Sequence, residues 1–235
     1  HAVSQVGYMV MGIGTGVPIG IIGGLFHMLN NAIYKCCLFL GAGAVEKSAG
    51  TTELEELGGL SKAMPVTFIA MLVSALAISG VPPLNGFASK WLIYQGTIEI
   101  GQPVFLLAAM FGSALTLASF VKVIYSVFLG QRPDKMKKVE RAGFAMGLPM
   151  VVLAVLCVVF GVFAQWPLRY LIGPAVYMDF DTAPGMINLA AAMWSPTMAT
   201  VLIGVSLLLG GVIYLLSTAV KVRKTSMFVG GEKFE

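Results

Sequence analysis

Charge is what this sequence has least of. Of its 235 residues 11% are Asp, Glu, Lys or Arg, while 57% are hydrophobic. Soluble domains carry about 25% charged residues, so an ordinary water-soluble fold is excluded and an integral membrane protein is expected. The net charge of +4 is then no argument for nucleic-acid binding, and its meaning lies in how Lys and Arg divide between loops. Cysteine is scarce as well. Cys36 and Cys37 are neighbours in one apolar run and Cys157 lies in another, which makes neither a redox pair, a metal-ligand spacing nor a disulfide framework. All three read as small buried apolar residues. There are two histidines, His1 and His27. No phosphate-binding loop, nucleophile–base pattern or metal cluster is present, so no catalytic residue, no cofactor and no metal are expected. The chain enters an apolar run directly after His1, without a charged leader or cleavage site, so no signal peptide is expected. FVGGEKFE at the other end reads as cut within a loop, and a fragment of a longer protein is expected.

What the sequence does have is long apolar runs, and one of them is unusual. Ile21 to Ala44 is long enough to cross a bilayer yet carries His27, Asn31 and Lys35. Residues four apart drift only about 40° per step around a helix, so the three are expected on one broad face. A central Lys costs roughly 2.5–3.5 kcal/mol on insertion scales. Lys35 lies too far from either helix end to snorkel easily, which favours a proton-exchanging site. His27 can donate and accept beside it. Asn31 suits either a connecting water or an interhelical hydrogen bond.

Along the chain, Val3 to Gly14 is too short to span, about 18 Å of helix against roughly 30 Å of hydrocarbon. The helix Val17 to Ala44 follows, then a polar loop from Val45 to Ala63 with a short surface helix at Thr52 to Leu57, capped by Thr51 or Thr52. Met64 to Gly80 is apolar with Pro65 in its first turn. SGVPPLNGFASKWLIYQG then interrupts the hydrophobic pattern, and a short helix with Lys90 runs to about Glu99. Irregular backbone at membrane depth is tolerated only where protein or a water-filled cavity surrounds it, and such interruptions point to transport sites. Lys90 is either a second exchange site or an interfacial lysine at a half-helix start. Glu99 is free to pair with a lysine from the surface or from the break. Spans are expected at Pro103 to Leu129, Gly143 to Trp166 and Thr197 to Val220, making five whole spans with a truncated one and a broken half-helix. Lys122 lies near its helix end and snorkels by default. The basic residues in 130–142 and at Lys221, Arg223 and Lys224 place those segments in the cytoplasm, and by counting back loop 45–63 as well. Trp166, Tyr170, Tyr177 and Trp194 flank the opposite loop as an aromatic belt would.

HMLNNAIYKCCLFLGAGAV, GGLSKAMPVTF and SGVPPLNGFASKWLIY, in this order, resemble the second half of the antiporter-like subunits shared by respiratory complex I, membrane-bound hydrogenases of the formate hydrogenlyase and archaeal types, and Mrp-type sodium/proton antiporters. The likeness covers residues 2–130 well and the later helices by pattern. It implies an all-α, polytopic helix bundle with a discontinuous helix, the second half of an inverted-repeat fold. Residues 1–130 would supply most of the second repeat, and 131–235 the C-terminal helices and a cytoplasmic tail. It also implies roles. Lys35 matches the family's central lysine on a hydrated axis, His27 a histidine eight residues before it, and Lys90 the lysine of the GF-x-SK motif that in some members gates the exit half-channel. Asn31 departs from the second histidine of many complex I members, so water or Asn31 itself must bridge a His27–Lys35 relay. Lys122 completes the ion-path candidates.

The implied function is translocation of protons, or of sodium, as a subunit of a multi-subunit, redox-driven complex or of an antiporter. The chain would do no chemistry of its own. Its partners would be other membrane subunits, a peripheral redox arm and the lipid bilayer, with no nucleic acid, in the plasma membrane of a prokaryote. A stand-alone transporter of a small solute and a structural scaffold with a vestigial ion path are the alternatives.

Overall fold

The computed structural model describes residues 1–133, 139, 143–176, 187–189 and 192–194, with the helical positions 201, 205, 208–210, 212 and 215. Residues His1–Thr200 form one compact unit and Val201–Glu235 a second. Among its described residues the first unit is mainly helical. Ile187–Leu189 and Ala192–Trp194 form an antiparallel pair of three-residue strands.

Six helices matter here. α1 is Ala2–Gly14, α2 Pro18–Ala49, α3 Pro65–Ser79, α4 Asn85–Glu99, α5 Pro103–Ile124 and α6 Phe144–Val162. Three of them begin on proline: Pro18, Pro65 and Pro103 sit where a missing N–H costs nothing. α2 ends at Gly50, whose φ of 76° lets it close the last turn with its N–H on Glu46 O. The helix therefore runs one turn past Ala44, carrying Glu46 and Lys47 to its exposed end. The expected helix at Thr52 to Leu57 is instead a turn. Thr51 Oγ1 accepts the Glu53 N–H and Glu56 N–H reaches Glu53 O, and one turn alone does not repay helix nucleation.

Among the described residues three helices are long and apolar enough to cross a membrane: α2, α5 with its continuation to Leu129, and α6. α3 is shorter than the span expected at Met64 to Gly80. Its 15 residues reach about 22 Å, because Gly80 turns left-handed at φ 82° and ends it. The expected span Thr197 to Val220 lies largely outside the described residues, and Tyr177, Lys135, Lys137, Lys138 and Arg141 lie outside them altogether.

α2 is the axis of the unit, packed against α1, α3, α4 and α6. Glycines make the closest crossings possible. A Cβ on Gly12 would stand 2.7 Å from Gly20 O, one on Gly96 2.7 Å from the Gly20 Cα, and one on Gly23 2.8 Å from Ile93 N. Small residues let helix backbones approach in lipid, where apolar side chains gain nothing by leaving it. At one end Ile33, Tyr34, Cys37, Met71, Ile78, Met150 and Phe160 form a buried cluster. At the other, Ile22, Phe26, Leu92 and Leu168 form a second. Cys37 and Cys157 are buried as expected, whereas Cys36 is exposed.

α5 closes with a π-turn at Tyr125–Leu129. There the Leu60 and Ser61 N–H groups donate to Val127 O and Phe128 O. Gly58 allows this, because a Cβ there would lie 2.0 Å from Gln131 O. The connection from α2 to α3 is thereby tied to the end of α5.

Candidate functional site

The break between α3 and α4 builds the site. Gly80 N–H and Val81 N–H turn back to Ala77 O and Leu76 O, and the carbonyl of Ile78 accepts the Lys90 Nζ at 2.9 Å. A helix C-terminus carries orphan carbonyls and partial negative charge, and here a lysine from the next helix satisfies one of them. Gly80 also makes room. A Cβ on it would lie 3.0 Å from Lys90 Cδ. Gly80→Ala is expected to cost about 1–2 kcal/mol through its left-handed backbone alone, measured as a lower melting temperature of the detergent-solubilised complex.

Lys90 is 1% exposed. Besides Ile78 O, its Nζ donates to Ser113 Oγ on α5 at 3.1 Å and stands 4.6 Å from the centre of the Tyr8 ring on α1. None of these partners carries a negative charge. Ser113 Oγ also lies 2.8 Å from the hydroxyls of Tyr8 and Tyr94. The Tyr8 hydroxyl donates to Ala109 O.

A second network surrounds His27, which is fully buried. Its Nδ1 is 2.8 Å from Ser89 Oγ and its Nε2 is 3.0 Å from Gln5 Oε1. The Tyr34 hydroxyl reaches the same Gln5 oxygen at 3.3 Å. With the imidazole proton on Nε2, Nδ1 is an acceptor for the Ser89 hydroxyl, whose one proton also has Asn85 O and Gly86 O within reach. The Tyr8 ring packs 5.5 Å from the His27 ring, so this one side chain touches both His27 and Lys90. One turn on, Asn30 and Asn85 exchange bonds. Asn30 Nδ2 donates to Asn85 O at 3.0 Å, and Asn85 Nδ2 donates to Asn30 Oδ1 at 3.1 Å. They pin the start of α4 to the middle of α2.

The structure thus brings His27 and Lys90 into one polar layer running through α1, α2, α4 and α5. It does not bring Lys35 into hydrogen-bond contact with either. Lys35 is half-buried with its Nζ 5.5 Å from the ring of Phe39, which is 71% exposed. Helical geometry explains this. Seven residues return to within about 20° of the start, whereas eight overshoot by about 80°. Tyr34 therefore shares the buried face of His27, and Lys35 is turned toward its edge together with half-buried Asn31, whose Oδ1 has no hydrogen-bond partner. Lys122 is exposed in the last turn of α5, apart from the cluster, and Glu99 is exposed at the end of α4. Sequence reasoning missed Gln5, Tyr8, Asn30, Tyr34, Asn85, Ser89, Tyr94 and Ser113. For Gln5 and Tyr8 a signal existed: polar groups three apart in an otherwise apolar helix, on the face that also carries Gly12.

Residues 2–116 match the family model described as NADH:quinone oxidoreductase/Mrp antiporter, TM. This segment holds every residue of both networks. The chain belongs to the antiporter-like subunit family. It is 36% identical over 193 residues to formate hydrogenlyase subunit 3 of Escherichia coli, a match covering 73% of this chain and 32% of that protein. It is 33% identical over 189 residues to a Na(+)/H(+) antiporter subunit of Alkalihalophilus pseudofirmus, covering 76% of this chain and 38% of the other. Among solved structures, a chain of the membrane-bound sulfane sulfur reductase, an archaeal respiratory membrane complex, superposes with a TM-score of 0.82 at 30% identity, over 97% of this chain and 38% of that one. This antiporter-like chain therefore spans about a third of the length of the relatives it matches. Its predominantly helical architecture among the described residues, its apolar spans and its family make it a multi-pass membrane protein.

Proposed function

We propose that this chain is the ion-translocating part of a subunit in a multi-subunit membrane complex, and that it exchanges protons at Lys90 and Lys35. One observation carries the reading. Lys90 is a fully buried amine at a helix break, held by a carbonyl, a hydroxyl and an aromatic ring, with no carboxylate among those partners. A lysine fixed permanently in its charged form inside a membrane bundle calls for an opposite charge. One that gives up and regains a proton is served by neutral acceptors. His27, in the adjoining network, connects this site toward the α2 interior, and Lys35 lies farther along α2 with Asn31 between. Lys122, exposed in the last turn of α5 and apart from both networks, is the candidate mouth at the end opposite Glu99.

Residues 1–130 form the translocating part and 131–235 the closing helices and tail. The partners are further membrane subunits and a peripheral redox arm that supplies the driving energy, in the plasma membrane of a prokaryote. The segments 45–63 and 130–142 and the C-terminus face the cytoplasm, on the distribution of Lys and Arg.

In inverted membrane vesicles carrying the whole complex, Lys35→Ala is expected to lower ion uptake driven by the complex at least ~100-fold, the lower bound for losing a positioned proton-transfer group. A pH-sensitive dye and a sodium-sensitive dye, read in parallel, identify the ion. Undiminished uptake by the variant would sink the proposal.

A further inference from the structure

We infer that Ser113 and Tyr94 form the outlet of Lys90, and that Tyr8 is its closed end. The inference rests on the proton-exchange reading above and assigns which side chains carry the step.

The donor inventory decides the direction. A tyrosine hydroxyl has one proton, and that of Tyr8 is committed to Ala109 O. Toward Ser113, at 2.8 Å, Tyr8 is therefore an acceptor, and the Ser113 proton points at it. Ser113 has one proton too, so it accepts from both remaining neighbours: from Lys90 Nζ at 3.1 Å and from the Tyr94 hydroxyl at 2.8 Å. A backbone carbonyl passes no proton onward, so the branch through Tyr8 ends at Ala109.

The branch through Tyr94 stays open. Tyr94 lies one turn beyond Lys90 on α4 and is half-buried, on the way to exposed Glu99 and Gln102 in the connection to α5. Release runs in one balanced sequence. Tyr94 turns its hydroxyl from Ser113 toward water on the side of Glu99 and gives up its proton there, while the Ser113 proton turns from Tyr8 to the Tyr94 oxygen and replaces it. Ser113 takes a proton from the Lys90 ammonium, which becomes a neutral amine, and both hydroxyls end as they began. Gly112 keeps Tyr8 in its place beside this switch, since a Cβ there would stand 3.0 Å from the Tyr8 hydroxyl.

The test uses the whole complex in vesicles, with Lys90→Met as the reference for a dead site. Ser113→Ala and Tyr94→Phe are each expected to slow ion translocation at least ~100-fold and to change the solvent deuterium isotope effect on it. Ser113→Thr, which restores the hydroxyl, is expected to recover most of the rate. Tyr8→Phe keeps the ring over Lys90 and frees the Ser113 proton, and is expected to raise the rate by up to ~5-fold, the equivalent of one ordinary hydrogen bond.

A Ser113→Ala complex with the wild-type rate and isotope effect, beside an inactive Lys90→Met, would overturn the relay and leave the proposed function standing. Loss of activity in Tyr8→Phe matching that in Ser113→Ala would overturn the assigned direction. A wild-type complex that moves no ions would remove the proposed function and the relay with it.

Discussion

Lys90→Met is expected to leave the complex assembled and to reduce ion translocation at least ~100-fold. Two energies set against each other give the first half of that result. Losing the ammonium leaves the Ile78 carbonyl without its 2.9 Å partner, and an unsatisfied buried acceptor costs about 1–3 kcal/mol. Against this, burying a methionine of similar length removes the desolvation cost of a charge whose Ile78, Ser113 and Tyr8 partners carry no opposite charge, which is of the same order or larger. The fold is therefore nearly indifferent. The second half follows because a thioether holds no exchangeable proton, and positioned proton-transfer groups are worth about 10²–10⁴ in rate. Lys90→Arg separates charge from exchange. A guanidinium keeps the charge and does not release it at any working pH, so this variant is expected to fail as Lys90→Met does. Dye-reported gradients in vesicles, normalised to assembled complex, measure both. Full activity in Lys90→Arg would mean that a fixed charge, and not a moving proton, is what the site requires.

The second large effect is structural. Gly86 lies at the start of α4, where a Cβ would come within 1.8 Å of Ala77 O and 2.8 Å of the Ala77 carbonyl carbon. Both are backbone atoms of the last turn of α3, so no side chain can rotate away. Gly86→Ala must push the two half-helices apart, and with them the Asn30–Asn85 pair and the Ile78–Lys90 bond. A loss of more than ~4 kcal/mol is expected, in the range reserved for overpacked cores and broken buried networks. The measurable result is failure of the subunit to join the complex on a native gel. Gly43→Ala, with open space around the Cβ position, is the matched control and is expected to assemble normally.

The spans α2, α5 and α6 were legible in the sequence because a membrane helix announces itself by length and apolarity. The break was legible because SGVPPLNG interrupts both. Lys90 could be named from its place after that break, but not its partners. Ile78 O is a backbone atom, and Ser113 and Tyr8 are contributed by helices 23 and 82 positions away, which no local periodicity connects. The grouping of His27, Asn31 and Lys35 on one face was the reading that needed most revision. A 40° drift is harmless over one step but doubles over two, enough to move Lys35 from the buried face of His27 to its edge and to bring in Tyr34. The helix expected at Thr52 to Leu57 failed for the opposite reason. Its residues satisfy a local pattern, while the connection is held by backbone bonds from Leu60 and Ser61 to α5.

That tie has a mechanical consequence. Two N–H groups seated on the π-turn of α5 convert the end of α2, the 50–64 connection and the end of α5 into a braced frame, since each is fixed to the next by a covalent link or a pair of hydrogen bonds. Two glycines of positive φ beyond that frame, Gly80 and Gly101, stand at the two ends of α4. Between them α4 is clamped to α2 by the close crossings at Gly23 and Gly96 and by the Asn30–Asn85 pair. The bracing at one end of α2 and the clamp at the other therefore leave Lys90 on a helix whose backbone is held along its length.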